Sequence, residues 1–270
     1  MIGLDCVKSE IDSLIDEAMT RRKRVMAGYR VAPKSNHLIF SGNPGTGKTT
    51  AARDVAKIYH ALGIVPTDKF VEADRKDLIG AYVGQSTQKT AEIFNKAKGG
   101  VLFIDEAYSL AREQYGQEAI DTLVPLIENS KADTVVILAG YPDKMNEFLD
   151  VNPGLRSRFD RHFTFNDYNE NELFRIAISL LKTENIRLDN EAYDYLQKYI
   201  TSIYEYRDKY FGNAREIRKL ITDAIQNQNL RLASMPKEQR TKDMLETMTL
   251  EDLKEFKIAE GKRGGLGFKY

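Results

Sequence analysis

Apolar and polar positions along this chain change period twice. Val7, Ile11, Leu14, Ile15 and Ala18 recur at the spacing of one helix face, which predicts a first amphipathic helix running toward Ala27. Short apolar runs then alternate with helical patterns: His37 to Ser41, Phe70 to Ala73, Val101 to Asp105, Val135 to Ala139 and Phe163 to Phe165 read as strands. The runs VLFID and TVVILAG are nearly continuous in apolar residues, the pattern of parallel strands covered on both faces. Residues 1–167 are therefore expected to form an α/β domain. From Tyr168 on, three helical stripes follow without a strand-like run: Leu173, Ile176, Ala177, Leu180 and Leu181; Ala192, Leu196, Tyr199 and Ile200; Ile217, Leu220, Ile221, Ala224 and Ile225. They predict a helical domain over 168–270, with the boundary near Asn166 to Tyr168. Its last stretch, Met235 to Tyr270, is polar with a Gly-rich end and reads as a loosely held helix followed by a tail.

Composition narrows the class. Forty basic residues balance forty acidic ones, which gives no global drive toward nucleic acid or an anionic membrane and leaves a local basic patch open. Arg21, Arg22, Lys23 and Arg24 read as a solvated helix face. Cys6 is the single cysteine, so no internal disulfide can form. No apolar run is long enough to cross a bilayer and no signal-peptide pattern opens the chain, so a cytoplasmic, soluble protein is expected. His37, His60 and His162 are scattered without metal-ligand spacing.

Candidate chemistry begins at the end of the first predicted strand. The stretch from Gly42 through Asn43, Pro44, Gly45, Thr46, Gly47, Lys48 and Thr49 fits G-x-x-x-x-G-K-[ST], and a helix-forming run starting at Thr50 follows. In that pattern loop N–H groups face phosphate oxygens, Lys48 reaches the terminal phosphates and the Thr49 hydroxyl ligates Mg²⁺. Asp105 and Glu106 end the third strand, where open α/β sheets place ligands. There Asp105 would hold Mg²⁺ through water and Glu106 would activate the water that attacks ATP. Arg156, Arg158 and Arg161 precede the last strand, either as a solvated face or as cations for phosphoryl transfer supplied to a neighbouring subunit. Asn213 reads as an N-cap with Glu216 completing a capping box. Arg215 lies in that first turn, against the helix dipole, and is either a surface arginine or one that faces a phosphate.

With these motifs in place, the chain resembles an AAA+ ATPase of the CbxX/CfqX family, the group that includes red-type Rubisco activases and the stage V sporulation protein K. The resemblance runs from Ile2-Gly3-Leu4 through GNPGTGKTT, DLIGAYVGQ, GGVLFIDEAYSL, EAIDTL, ILAGYPDKM, NPGLRSRF and GNAREIR. It implies a P-loop AAA+ α/β fold with a parallel five-stranded sheet in the order 5-1-4-3-2, a C-terminal helical lid, and a homo-oligomeric ring, usually a hexamer, with ATP at subunit interfaces. Ile2, Gly3 and Leu4 match the adenine-side segment. Arg158 matches a trans-acting finger with Arg161 or Arg156 as helper, and Arg215 matches the second sensor. The first sensor, often Asn elsewhere in the superfamily, falls at Gly140 or Tyr141. Tyr82 and Val83, flanked by Gly80 and Gly84, resemble a pore loop that grips a polypeptide; the other reading packs Tyr82 on the neighbouring helix.

Three functions fit the sequence: an ATP-driven remodelling motor acting on a protein client, a nucleic-acid-directed loader, and a nucleotide-dependent assembly scaffold. Neutral charge and the aromatic loop argue against the loader, because tracking phosphates needs a dense basic surface. Nothing selects Rubisco or any other client.

Overall fold

The structure, a computed structural model, describes residues 1–258 apart from 33, 131, 132, 151, 160, 209 and 210. The chain divides into two compact units, one built on residues 3–167 and one beginning at Tyr168.

In the first unit the elements run α1 (Asp5–Met26), β1 (Leu38–Gly42), α2 (Lys48–Ala61), β2 (Phe70–Ala73), α3 (Arg75–Leu78), α4 (Gln85–Ala97), β3 (Val101–Ile104), a 3₁₀ turn (Ala107–Arg112), α5 (Gly116–Asn129), β4 (Val135–Gly140), α6 (Pro142–Asp150), α7 (Pro153–Arg156) and β5 (Arg161–Phe165). The five strands pair in the order β2-β3-β4-β1-β5, all parallel, which is 5-1-4-3-2 read from the other edge. Successive residues of a strand face opposite sides of a sheet, and here both sides are covered. Leu38, Phe40, Val101, Phe103, Val135 and Ile137 pack with Val7, Ile11 and Leu14 of α1 and Val55 and Tyr59 of α2. Ile39, Leu102, Ile104, Val136 and Leu138 enter the other core, with Phe94 of α4, Leu123 of α5 and Phe148 of α6. The near-continuous apolar runs are therefore two interleaved core patterns.

The second unit holds α8 (Glu170–Thr183), β6 (Arg187–Leu188), α9 (Asn190–Glu205), α10 (Ala214–Ala233), a 3₁₀ turn (Lys237–Gln239), α11 (Lys242–Glu246), β7 (Thr247–Met248) and α12 (Leu250–Leu253). Two sequence expectations change here. A parallel two-stranded pairing joins β6 to β7 where no strand-like run exists, because two residues suffice for it. The segment after Met235 is also fastened rather than loosely held. Met248 and Leu253 are buried, Gln228 donates to the carbonyls of Met244, Leu245 and Thr247, and Arg231 makes a two-pronged pair with the buried Asp252 carboxylate at 2.7 and 2.9 Å. Its polarity thus includes buried, partnered groups. Residues 259–270, where the tail was expected, lie outside the described ones.

Candidate functional site

The loop after β1 is shaped by its glycines, each for its own reason. Gly45 and Gly47 take left-handed backbone, φ 70° and 92°, which side chains with a Cβ resist. Gly42, still within β1, answers to packing instead: a Cβ there would collide with the carbonyl oxygen and Cβ of Phe165 on β5. Thr46 is buried and donates to the Asn43 carbonyl at 2.8 Å, and the Asn43 amide donates to both carboxylate oxygens of Asp167, 3.0 and 3.1 Å away. Pro44 is half-buried in the turn between them. These bonds hold the loop against the end of β5.

Gly47 is the N-cap of α2, which carries no acidic residue in its first turn. A helix start of that kind favours an anion, through unused N–H donors and the helix dipole. Lys48 opens the helix and curls back, donating to the carbonyls of Gly42 and Asn43 at 2.8 Å each, so its ammonium lies over the loop. Thr49 is half-buried beside it, and Thr50 is exposed.

β3 delivers the two carboxylates. The Asp105 N–H donates to the Ala73 carbonyl at 3.0 Å, continuing the β2–β3 pairing past the end of the strand, and Asp105 Oδ1 accepts from the Glu106 N–H at 2.9 Å. Glu106 itself sits at φ 48°, an unusual conformation for a non-glycine residue, with its side chain exposed. Asp105 and Glu106 share an open cavity of about 430 Å³ with Asp74, Arg75, Lys76 and Ser109. Sequence reasoning passed over those four; Asp74 closing the β2 run is the one local signal. Tyr108 was missed as well. It packs against Tyr141 with ring centroids 6.0 Å apart, and the Lys144 ammonium stands 4.7 Å from both rings. Burial, then the Glu106 charge, pushes the Tyr108 hydroxyl well above its usual pKa. At Gly140, the other first-sensor candidate, a Cβ would collide with the Tyr108 ring and the Met145 sulfur.

The remaining sequence candidates are dispersed. Gly3 and Leu4 both have φ 59°, with Gly3 buried and Ile2 and Leu4 half-buried. Arg158 donates to Glu128 at 2.6 Å and to the Gly154 carbonyl, leaving 19% of its side chain exposed. Arg156 pairs with Asp150 on the surface, and Arg161 pairs with Glu17 of α1 at the amino end of β5. In the second unit Arg215 is exposed in the first turn of α10 and has no partner among the described residues. The expected capping box beside it is absent. Asn213 has φ 50°, its amide oxygen accepts from the Tyr168 N–H at 3.1 Å, and the Glu216 carboxylate accepts from the Gly212 N–H.

On the loop between α3 and α4, Tyr82 and Val83 are 71% and 78% exposed. The backbone around them is fastened: the Gly80 N–H donates to Ser86 at 3.1 Å, that of Ala81 to Gln85 at 3.0 Å, and that of Gly84 to the Glu118 carboxylate at 3.0 Å. The packing alternative for Tyr82 does not describe this side chain.

Two family models divide the chain along these lines. Residues 38–167 match the ATPase family associated with various cellular activities (AAA), and residues 169–263 match the AAA lid domain. CbbX of Cereibacter sphaeroides is 40% identical over 265 residues, covering 97% of this chain and 85% of that protein. The chain belongs to the AAA ATPase family, in its CbxX/CfqX group. A chloroplastic ribulose bisphosphate carboxylase/oxygenase activase of Cyanidioschyzon merolae is 38% identical over 257 residues, 94% of this AAA ATPase and 87% of the activase. The solved FIGL-1 AAA domain superposes with a TM-score of 0.63 at 19% identity, over 94% of this chain and 80% of that one, a likeness of fold.

Membership brings nucleotide binding with a divalent metal, and the residues of this AAA ATPase fit both. Left-handed Gly45 and Gly47 and an acid-free helix start suit phosphates. Among the described residues no group of three His, Cys, Asp or Glu side chains is placed to hold a metal alone; the Thr49 hydroxyl and the Asp105 carboxylate are hard oxygen donors of the kind a divalent ion takes together with water and phosphate. No helix among the described residues is long and apolar enough to cross a membrane.

Proposed function

We propose that this AAA ATPase binds Mg²⁺ and ATP and works as a homo-oligomeric ring, a hexamer, that remodels a protein client. Residues 1–167 form its nucleotide domain and 168–270 its lid. Backbone N–H groups of Asn43 and of Gly45 to Thr50 hold the phosphates with the Lys48 ammonium, Pro44 shapes the turn between them, and Ile2, Gly3 and Leu4 line the adenine side. Thr49 and Asp105 hold Mg²⁺, which when bound neutralises charge on the terminal phosphate oxygens. Glu106, exposed at its left-handed turn, accepts a proton from the attacking water. Arg158 stabilises the developing charge at a neighbouring subunit's site, and Arg215 reads the phosphate from the lid. Arg161 or Arg156 assists Arg158 at that interface.

The observation that carries the motor reading is the exposure of Tyr82 and Val83 on a backbone fastened on both sides. An exposed aromatic next to an exposed aliphatic residue has use as a contact surface, and a fixed backbone lets it transmit force. The similarity to a protein named as an activase of another enzyme supports the same reading.

The test uses a hydrolysis-arrested trap. A Glu106→Gln protein is expressed in cells, isolated with ATP, and compared with Glu106→Gln carrying Tyr82→Ala or Tyr82→Phe. Polypeptides held by the trap should be lost from the alanine protein and kept by the phenylalanine one. Tyr82→Ala alone should retain its thermal midpoint and basal ATPase within a few-fold. Identical polypeptides on trap and alanine variant would end the reading.

A further inference from the structure

We infer that Glu118 is the residue that ties the Tyr82 loop to the nucleotide carboxylates, acting as a positioning residue that passes the nucleotide state to the loop. The inference rests on Asp105 and Glu106 facing nucleotide; it holds whether or not the loop grips a polypeptide.

The argument starts from α4, which has the left-handed Gly84 as its N-cap and no side-chain cap of its own. A helix start without a cap leaves donors unsatisfied. Here the missing acceptor comes from another helix, since the Gly84 N–H donates at 3.0 Å to Glu118 Oε2 in the first turn of α5. A carboxylate at that place also meets the positive end of α4. The other anchors of the loop, Gln85, Ser86 and Lys89, whose ammonium donates to the Ile79 carbonyl at 2.9 Å, belong to α4 itself and move with it. Among the loop anchors described, Glu118 is the one set on a different element.

That element is built directly onto the carboxylate turn. Ala107 to Arg112 follow Glu106 as a 3₁₀ turn, and this turn meets the start of α5 so closely that a Cβ at Gly116 would collide with the Leu110 carbonyl oxygen. A second link runs alongside. Arg75, which borders the cavity of Asp105 and Glu106, pairs with Glu113, whose carbonyl accepts from the Gly116 N–H at 3.1 Å. Glycine leaves no compressible side chain at the junction, so a shift of the 3₁₀ turn moves the first turn of α5, and with it Glu118. From there the Glu118–Gly84 hydrogen bond reaches the loop, alongside the packing of α5 on α4. A coupling of this kind becomes a finding only through a measured dependence between the two ends.

The chain contains no tryptophan, so Tyr82→Trp places a single indole fluorophore on the loop. Its anisotropy and emission maximum are compared in ADP and in a non-hydrolysable ATP analogue, in three proteins: the reporter alone, the reporter with Glu118→Ala, and the reporter with Glu118→Gln. A fluorescent ATP analogue measures nucleotide affinity in parallel, and thermal melts confirm folding. The reporter alone should differ between the two nucleotides. Glu118→Ala should lower the anisotropy and abolish that difference with nucleotide affinity unchanged. Glu118→Gln, which retains an oxygen acceptor for the Gly84 N–H, should restore most of it. A reporter blind to nucleotide, or one whose difference survives Glu118→Ala, would overturn the inference. A Tyr82→Ala trap that still holds its polypeptides would end the gripping role and leave this result untouched.

Discussion

Lys48 and Glu106 stand on the same side of the reaction but perform separable tasks. In the proposed function one holds phosphate charge, with its ammonium over the loop, and the other accepts a proton from water. Lys48→Ala should therefore abolish tight nucleotide binding. Glu106→Gln should leave nucleotide affinity near wild type and stop turnover, with a loss on the order of 10²-fold or more, as removal of a general base does. Titration with a fluorescent nucleotide beside a phosphate-release assay checks both, and an equal loss of affinity in the two variants contradicts the division. At this scale the sequence was legible where a motif fixes the backbone, as at the left-handed Gly45 and Gly47. It was misleading where one residue type serves two ends. Gly42 answers to Phe165, and Asn213, at the N-cap position of α10 as expected, uses its amide oxygen to accept from the Tyr168 N–H rather than from its own helix, across a stretch of chain that no local window spans.

Among the elements, α1 and β5 are joined to the segment before β1 by one carboxylate. Glu17 accepts from Lys34 at 2.6 Å and also pairs with Arg161. The Lys34 hydrogen bond, then that of Arg161, holds its carboxyl below the ordinary glutamate range, against an opposing push from burial. A depressed carboxyl favours the folded state above its unfolded pKa, and that contribution is lost as pH falls through the lower folded pKa. With about a third of Glu17 exposed, solvent limits the effect to about 1 kcal/mol or less. Glu17→Gln should accordingly lower stability in urea melts at pH 7, and the gap from wild type should close as the pH is taken well below 4.5. A gap of constant size across that range would mean that packing, not charge, holds α1 there. The strands themselves were readable because each buries both faces, which leaves an apolar run in the sequence; observed boundaries differ from those expected by a residue or two. The β6–β7 pairing was not, since two residues carry no period.

For the whole molecule the question is assembly. Within one chain Arg158 is turned onto its own α5, held by Glu128. Service to a neighbour's site therefore requires that this pair open or rotate. If Arg158 acts across an interface, mixing Arg158→Ala protein with Lys48→Ala protein should restore part of the hydrolysis each lacks alone, because some interfaces then join an intact loop to an intact finger. Specific activity should also fall on dilution as rings dissociate. Activity that is independent of concentration in a stable monomer contradicts both. The two-sided sheet has a further consequence, for inheritance. Because Val101, Leu102, Phe103 and Ile104 alternate between two cores and Asp105 follows without a spacer, loss of a single codon from β3 would turn the side chains that follow it within the strand to the wrong face and draw the carboxylates back by one position at the same stroke. Changes of length are therefore expected to be borne by the connections between elements, where neither core nor the carboxylate pair is displaced.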